Sequence, residues 1–263
     1  MAEILHNCSD FPLGVELATS WSYPDFDALL EAQVETFRSV PVTLHAPFVE
    51  ICGAEGIDEL QRMESQFEKA YRWYHLFGAT SMVMHTHEKK VPPSERKWMQ
   101  QRAEAVILQT AERAREEGIH LTVENVGYPL QGNALFTQDE FISLFRHLPE
   151  DVGALIDTGH AMANGWDIPE LIRTMGRRIH GFHLHNTDSL HDLHRPIYEP
   201  GWHYTPDEMD ALLRCIRQYS PTADIILEYA PGVHICEELF QRDLRRMAAV
   251  WDEKQESQTA GKE

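Results

Sequence analysis

The sequence is poor in positive charge. Its 263 residues carry 23 lysines and arginines against 42 aspartates and glutamates, a formal net charge of −19. Such a surface repels phosphate backbones, so a general nucleic-acid-binding role is disfavoured. Cysteine is scarce too: Cys8, Cys52, Cys215 and Cys236 are scattered, with no Cys-x-x-Cys pair. That argues against a disulfide framework and against a closed structural zinc site, and leaves reduced, packed thiols. No apolar run approaches the about 20 residues that cross a bilayer. No basic region followed by an apolar stretch opens the chain. These absences predict a soluble cytoplasmic protein with no membrane partner. No internal repeat or interdomain linker stands out, so residues 1–251 read as one domain and 252–263 as a polar tail.

What the sequence does have is acids and histidines at the ends of apolar runs. The run from Val152 to Ile156 stops at Asp157, and His160 follows three residues on, on an expected turn beyond the strand. The same event recurs: Val42-Thr43-Leu44 ends on His45, Met82-Val83-Met84 on His85, and Leu121-Thr122-Val123 on Glu124. Gly181-Phe182 leads to His183, and Ile225-Ile226-Leu227 to Glu228. Between these strand-like runs the periodicity predicts helices over 24–37, 57–77, 94–117, 168–178 and 236–251, with Gly78 and Gly118 as stops. Thr137 with Glu140 and Thr205 with Glu208 have capping-box spacing and open two more.

Strands alternating with helices give a parallel sheet, and this number of units predicts an α/β fold, a (β/α)8 TIM barrel. Its first β/α unit is abbreviated. The runs Ile4-Leu5-His6-Asn7-Cys8 and Gly14-Val15-Glu16-Leu17 are too close in sequence for a crossover helix. In such barrels the chemistry sits at the carboxyl ends of the strands, where each of these acids and histidines falls.

Imidazole and carboxylate together suit zinc, manganese, iron or cobalt. Most histidines of any chain are surface or hydrogen-bonded residues, and His6, His75, His147 and His234 are read so. Glu16 and Glu50 also follow short strands and are read as caps or partners of loop amides. His87 is expected to orient a ligand through its other ring nitrogen. The long polar loop 186–204 adds Asp192, His194 and Arg195.

Val123-Glu124-Asn125, Ile156-Asp157-Thr158-Gly159-His160, Phe182-His183-Leu184-His185, Asp192-Leu193-His194 and Leu227-Glu228 resemble, in that order, the xylose-isomerase-like barrel superfamily. That group includes sugar phosphate isomerases and epimerases, inosose-processing enzymes and endonuclease IV. The resemblance implies one divalent metal, zinc or manganese, held by Glu124, Asp157, His183 and Glu228. It also allows up to three metals on the endonuclease IV pattern, with His45 and His85 joining Glu124, and His160, Asp192 and His194 forming another group. The implied function is an isomerase or epimerase of a small sugar, polyol or sugar phosphate. Glu124 and Glu228 would be its catalytic acid and base through an enediolate, and His45, His160, His194 and Arg195 would contact substrate. The alternative is a multinuclear zinc phosphoesterase of endonuclease IV type, whose DNA version the acidic balance disfavours. The expected partner is a small carbohydrate rather than nucleic acid, and a homo-oligomer is compatible with the sequence.

Overall fold

Strands buried on both faces must be apolar along their whole length. Hence β2 (Val42–His45), β4 (Leu121–Glu124) and β5 (Gly153–Asp157) are buried at every position. The computed structural model describes residues 13–19, 25–51, 57–230 and 237–253, with the backbone alone over 57–62. With β1 (Val15–Ala18), β3 (Ser81–His85), β6 (Ile179–Leu184) and β7 (Asp224–Leu227) these strands form, among the described residues, a seven-stranded sheet in chain order. Every neighbouring pair is parallel. The sheet curls far enough for Glu16 on β1 to reach His183 on β6, so the barrel is nearly closed. This is the TIM-barrel architecture that the alternation predicts. The run at residues 4–8 lies outside the described residues, and the second run is strand β1, one residue later than read.

Helices cover the outside. In α3 (Ile57–Phe77), Phe67, Ala70, Tyr71 and Tyr74 are buried, the i, i+3, i+4, i+7 spacing of one helical face. In α4 (Arg96–Glu116) the buried stripe runs from Met99 to Ala114. Both helices end where predicted, at Gly78 and Gly118, whose φ of +65° and +70° few other residues adopt. The capping boxes of α5 (Gln138–His147) and α8 (Pro206–Tyr219) form as their sequences dictate. Of the cysteines, Cys215 is a half-buried free thiol on α8, and the others lie outside the described residues. No helix among the described residues is long and apolar enough to cross a membrane.

Two local expectations change. The helix predicted over 24–37 is two short ones, α1 (Phe26–Glu31) and α2 (Val34–Phe37), and only Leu30 among them is buried. With so little of the stripe packed, and with β-branched Val34 and Thr36, nothing holds one continuous helix together. The turn expected after Asp157 is a further short helix, α6 (Thr158–Ala163). It is followed by α7 (Ile168–Met175) and, at the chain's far end, α9 (Glu237–Asp252).

The loop after β6 folds back on itself. Asn186 and Arg195 exchange backbone hydrogen bonds of 2.7 and 2.9 Å. The buried Asn186 side chain donates to Tyr204 O at 2.7 Å and accepts from Tyr204 N and Thr187 N. A polar side chain with this many partners pins a loop firmly. Asp192 and His194 are thereby returned to the barrel mouth.

Candidate metal-binding active site

Strand register assembles the site. His85 pairs with Glu124 between β3 and β4, and Asp157 with His183 between β5 and β6. In parallel pairing such neighbours present side chains to the same side, so ligands far apart in sequence share one rim. His45 closes β2, and Glu228 follows β7.

Glu124 is the centre. Its Oε2 lies 3.4 Å from His45 Nε2, 3.4 Å from His85 Nε2 and 3.5 Å from His183 Nδ1. These separations are long for hydrogen bonds, and Glu124 Oε2 is buried without a hydrogen-bond partner. They fit donors that share a cation, because two donors on a tetrahedral ion at about 2.1 Å lie roughly 3.4 Å apart. His183 Nδ1, also buried without a hydrogen bond, lies 3.0 Å from Glu228 Oε2. Among the described residues, four groups of side chains place donor atoms within 4.8 Å of one another: His45, His85 and Glu124; Glu124, Asp157 and His183; Asp157, His185 and Glu228; and His185, Asp192 and His194. The donor set therefore fits a divalent metal.

The imidazoles are held by their other nitrogens. His45 Nδ1 contacts Ala46 O at 2.8 Å, His160 Nδ1 contacts Asn125 O at 3.0 Å, and His194 Nδ1 contacts Glu228 O at 3.2 Å. His85 Nδ1 meets Glu88 Oε1 at 2.5 Å. Backbone carbonyls accept only, so in these rings Nδ1 carries a proton and Nε2 of the neutral ring is left for a ligand. Asp157 has a double task. Its Oδ1 accepts the backbone N–H of His160 at 2.6 Å, capping α6, while both its oxygens lie within 3.1 Å of His185 Nε2.

Charge distribution follows from this packing. Burial pushes the Glu124 carboxyl up, but His183 and His85 outweigh it and hold it well below the usual range. Asp157 is likewise lowered: His160 and His185 overcome its burial. Burial pushes His160 down, yet Asp157, Asp192 and Glu124 raise it to about 10. His85 and His194 rise to about 9 against their burial, His85 through Glu124 and Glu88, His194 through Asp192 and Asp157.

Above these groups opens a cavity of about 280 Å³. His45, His85, Glu124, Asp157, His160, Asp192, His194 and Glu228 all line it, and none of its described lining residues is lysine or arginine. His183 is fully buried beneath. Of the residues singled out in the sequence, only Arg195 is not brought in. Its guanidinium is engaged by Glu199 at 2.8 and 2.9 Å and stacks on Trp202. His87 lines the cavity but orients no ligand; its ring bonds Thr86 Oγ1 and Asn133 O, holding the loop that follows β4.

Three residues of the site were missed. Glu16, read as a cap, accepts from His183 Nε2 at 2.8 Å. His185 holds Asp157, and its own Nδ1 is buried without a partner. Glu88 holds His85. His185 left a signal, since it stands two residues after His183. Glu88 left only its three-residue spacing from His85.

Comparison with known proteins agrees with this architecture. The family model described as xylose isomerase-like TIM barrel matches residues 11–250. No curated protein matches the chain in sequence. Among solved structures, a zinc-bound IOLI protein superposes with TM-score 0.74 at 16% identity, over 95% of this chain and 91% of that one. A D-tagatose 3-epimerase-like protein gives TM-score 0.72 at 17% identity, over 91% and 89%. D-psicose 3-epimerase crystallised in the presence of D-fructose gives 0.65 at 16%, over 89% and 86%. At these identities the likeness is one of fold. The family match spans most of the chain, and the chain belongs to the xylose isomerase-like TIM barrel family.

Proposed function

We propose that this protein is a divalent-metal-dependent isomerase or epimerase of a small sugar or polyol. The observation that carries the reading is the pair Glu124 and Glu228, whose Oε2 atoms lie 3.5 and 3.0 Å from the same nitrogen, His183 Nδ1. Both face the cavity, Glu124 at the end of β4 and Glu228 just after β7. Glu124, Asp157, His183 and Glu228 would hold the metal, which when bound polarises a carbonyl and its neighbouring hydroxyl and so acidifies the C–H between them. One glutamate removes that proton and the other returns one to the opposite face, through an enediolate of the substrate. His45, His160 and His194, on the cavity wall, orient substrate hydroxyls. The fold neighbours that are sugar 3-epimerases by name, and the neighbour that binds zinc, support this reading. The lack of lysine and arginine among the described lining residues supports a neutral substrate over a sugar phosphate.

A second reading has an observation of its own: two outer donor groups, His45 and His85 with Glu124, and Asp192 and His194 with His185 rather than with His160, support further metals as in a multinuclear zinc phosphoesterase. The same described lining, without lysine or arginine, counts against a phosphodiester substrate.

The deciding experiment is proton exchange in heavy water with the metal-loaded enzyme and a panel of ketoses and inososes. Deuterium should enter next to a carbonyl, and Glu228→Gln with metal still bound should stop it. Efficient cleavage of abasic-site DNA, with no exchange in any carbonyl substrate, would overturn the proposal.

A further inference from the structure

The imidazoles that form the site's donor groups do not share one orientation, and two of them, His183 and His185, are held by Nε2. His45, His85, His160 and His194 are held by Nδ1 and offer Nε2. His183 is inverted: Nε2 is anchored and Nδ1 is offered. The anchor is Glu16, in the second position of β1, five strands from β6 in the sheet order. Glu16 Oε1 takes His183 Nε2 at 2.8 Å, and Oε2 takes the Thr43 hydroxyl at 3.0 Å. The His183 side chain is fully buried and the Glu16 side chain is 10% exposed, so little water competes for either.

A carboxylate accepts and cannot donate. Whatever else happens at His183, the nitrogen facing Glu16 must therefore carry a proton, and in the neutral ring the lone pair is left on Nδ1. That nitrogen faces Glu228 and Glu124. An anionic acceptor binds the ring more firmly than a backbone carbonyl does and makes the opposite nitrogen a better donor to a metal. Thr43 in turn fixes the rotation of the Glu16 carboxylate. We propose that Glu16 is a positioning residue for the metal site: it holds His183 in the orientation and tautomer that direct Nδ1 at the metal shared by Glu124, Asp157 and Glu228. The inference rests on the metal-binding reading of the site and adds to it a residue outside the cavity lining.

The test is zinc affinity, measured by competition with a chromophoric chelator in the intact protein. Glu16→Ala should weaken binding roughly 10–100-fold. Glu16→Gln, whose amide oxygen still accepts the Nε2 proton, should recover most of that loss. In a His183→Ala background, Glu16→Ala should cost less than about threefold further, because the partner through which it acts is gone. Wild-type affinity in Glu16→Ala, or an equal loss in both backgrounds, would overturn the proposal, since a merely structural glutamate loses the same in each. Should Glu16→Ala fail to fold, nitrogen-15 spectra of the zinc-loaded wild type decide: a proton on Nε2 supports the assignment and a proton on Nδ1 overturns it. A wild-type protein that takes up neither zinc nor manganese would instead refute the metal reading itself, and this inference with it.

Discussion

Asp157 Oδ1 lies 2.6 Å from the backbone nitrogen of His160, so the acid that ends β5 also caps the helix that follows it. One carboxylate thus serves both the fold and the site, and the two roles are separable. Asparagine caps about as well as aspartate, and alanine does not. Asp157→Asn should melt above Asp157→Ala by about 1 kcal/mol of stability, while both lose bound metal and turnover. Wild-type metal content in Asp157→Asn, read by elemental analysis, would remove Asp157 from the ligand set.

The outer histidines separate one metal from three. With a single metal, His45→Ala and His194→Ala should keep about one ion per chain and chiefly raise KM. With a trinuclear centre, wild type should carry close to three, and each substitution should remove one. Elemental analysis after purification without chelator distinguishes the two.

Metal-free and metal-loaded protein should respond to pH with opposite signs. His85 and His194 are raised from 6.5 to about 9. The stability they contribute is fully present below about 6.5 and is lost as pH rises through about 9. Melting temperature with chelator should therefore fall across that window. Metal must displace the proton that Glu16 and Glu124 favour on His183 against its burial, so zinc affinity should rise with pH and its uptake should release protons. A metal-free melting temperature flat from pH 6.5 to 9 would contradict the assignment.

Gly159 leaves room for one ring. A Cβ there would stand 1.9 Å from His185 Cε1. Gly159→Ala should push His185 off Asp157 and cost about 1–3 kcal/mol of stability. Metal affinity should fall with it, because Asp157 loses its fully buried imidazole partner. Denaturant melts and chelator competition measure the two effects, and wild-type values in both would show that His185 does not orient Asp157.

Substrate charge is testable by itself. With Glu124, Asp157, Asp192 and Glu228 lining the cavity and no lysine or arginine among the described residues there, a phosphorylated ketose meets like charge. Its kcat/KM should be at least about tenfold below that of the unphosphorylated sugar. The reverse preference, from parallel initial rates, would show that a lysine or arginine reaches the cavity.

The sequence by itself determined the strand ends. A parallel strand buried on both faces is an apolar run, and a polar residue at or beside its end is conspicuous, which is why His45, His85, Glu124 and Asp157, and also His183 one residue inside β6 and Glu228 one past β7, were legible. Helix ends were legible for the same local reason, in Gly78, Gly118, Thr137 and Thr205. Tertiary structure alone decided the rest. Glu16 reaches His183 across 167 residues of sequence and five strands of the sheet order, so no local pattern announces it. Arg195 stands in a promising loop, but Glu199, four residues on, captures it. Which nitrogen each histidine offers depends on what lies behind the ring, a carbonyl for His45 and a carboxylate for His183. Periodicity encodes which face a residue occupies; only closure of the barrel sets which residues meet across it.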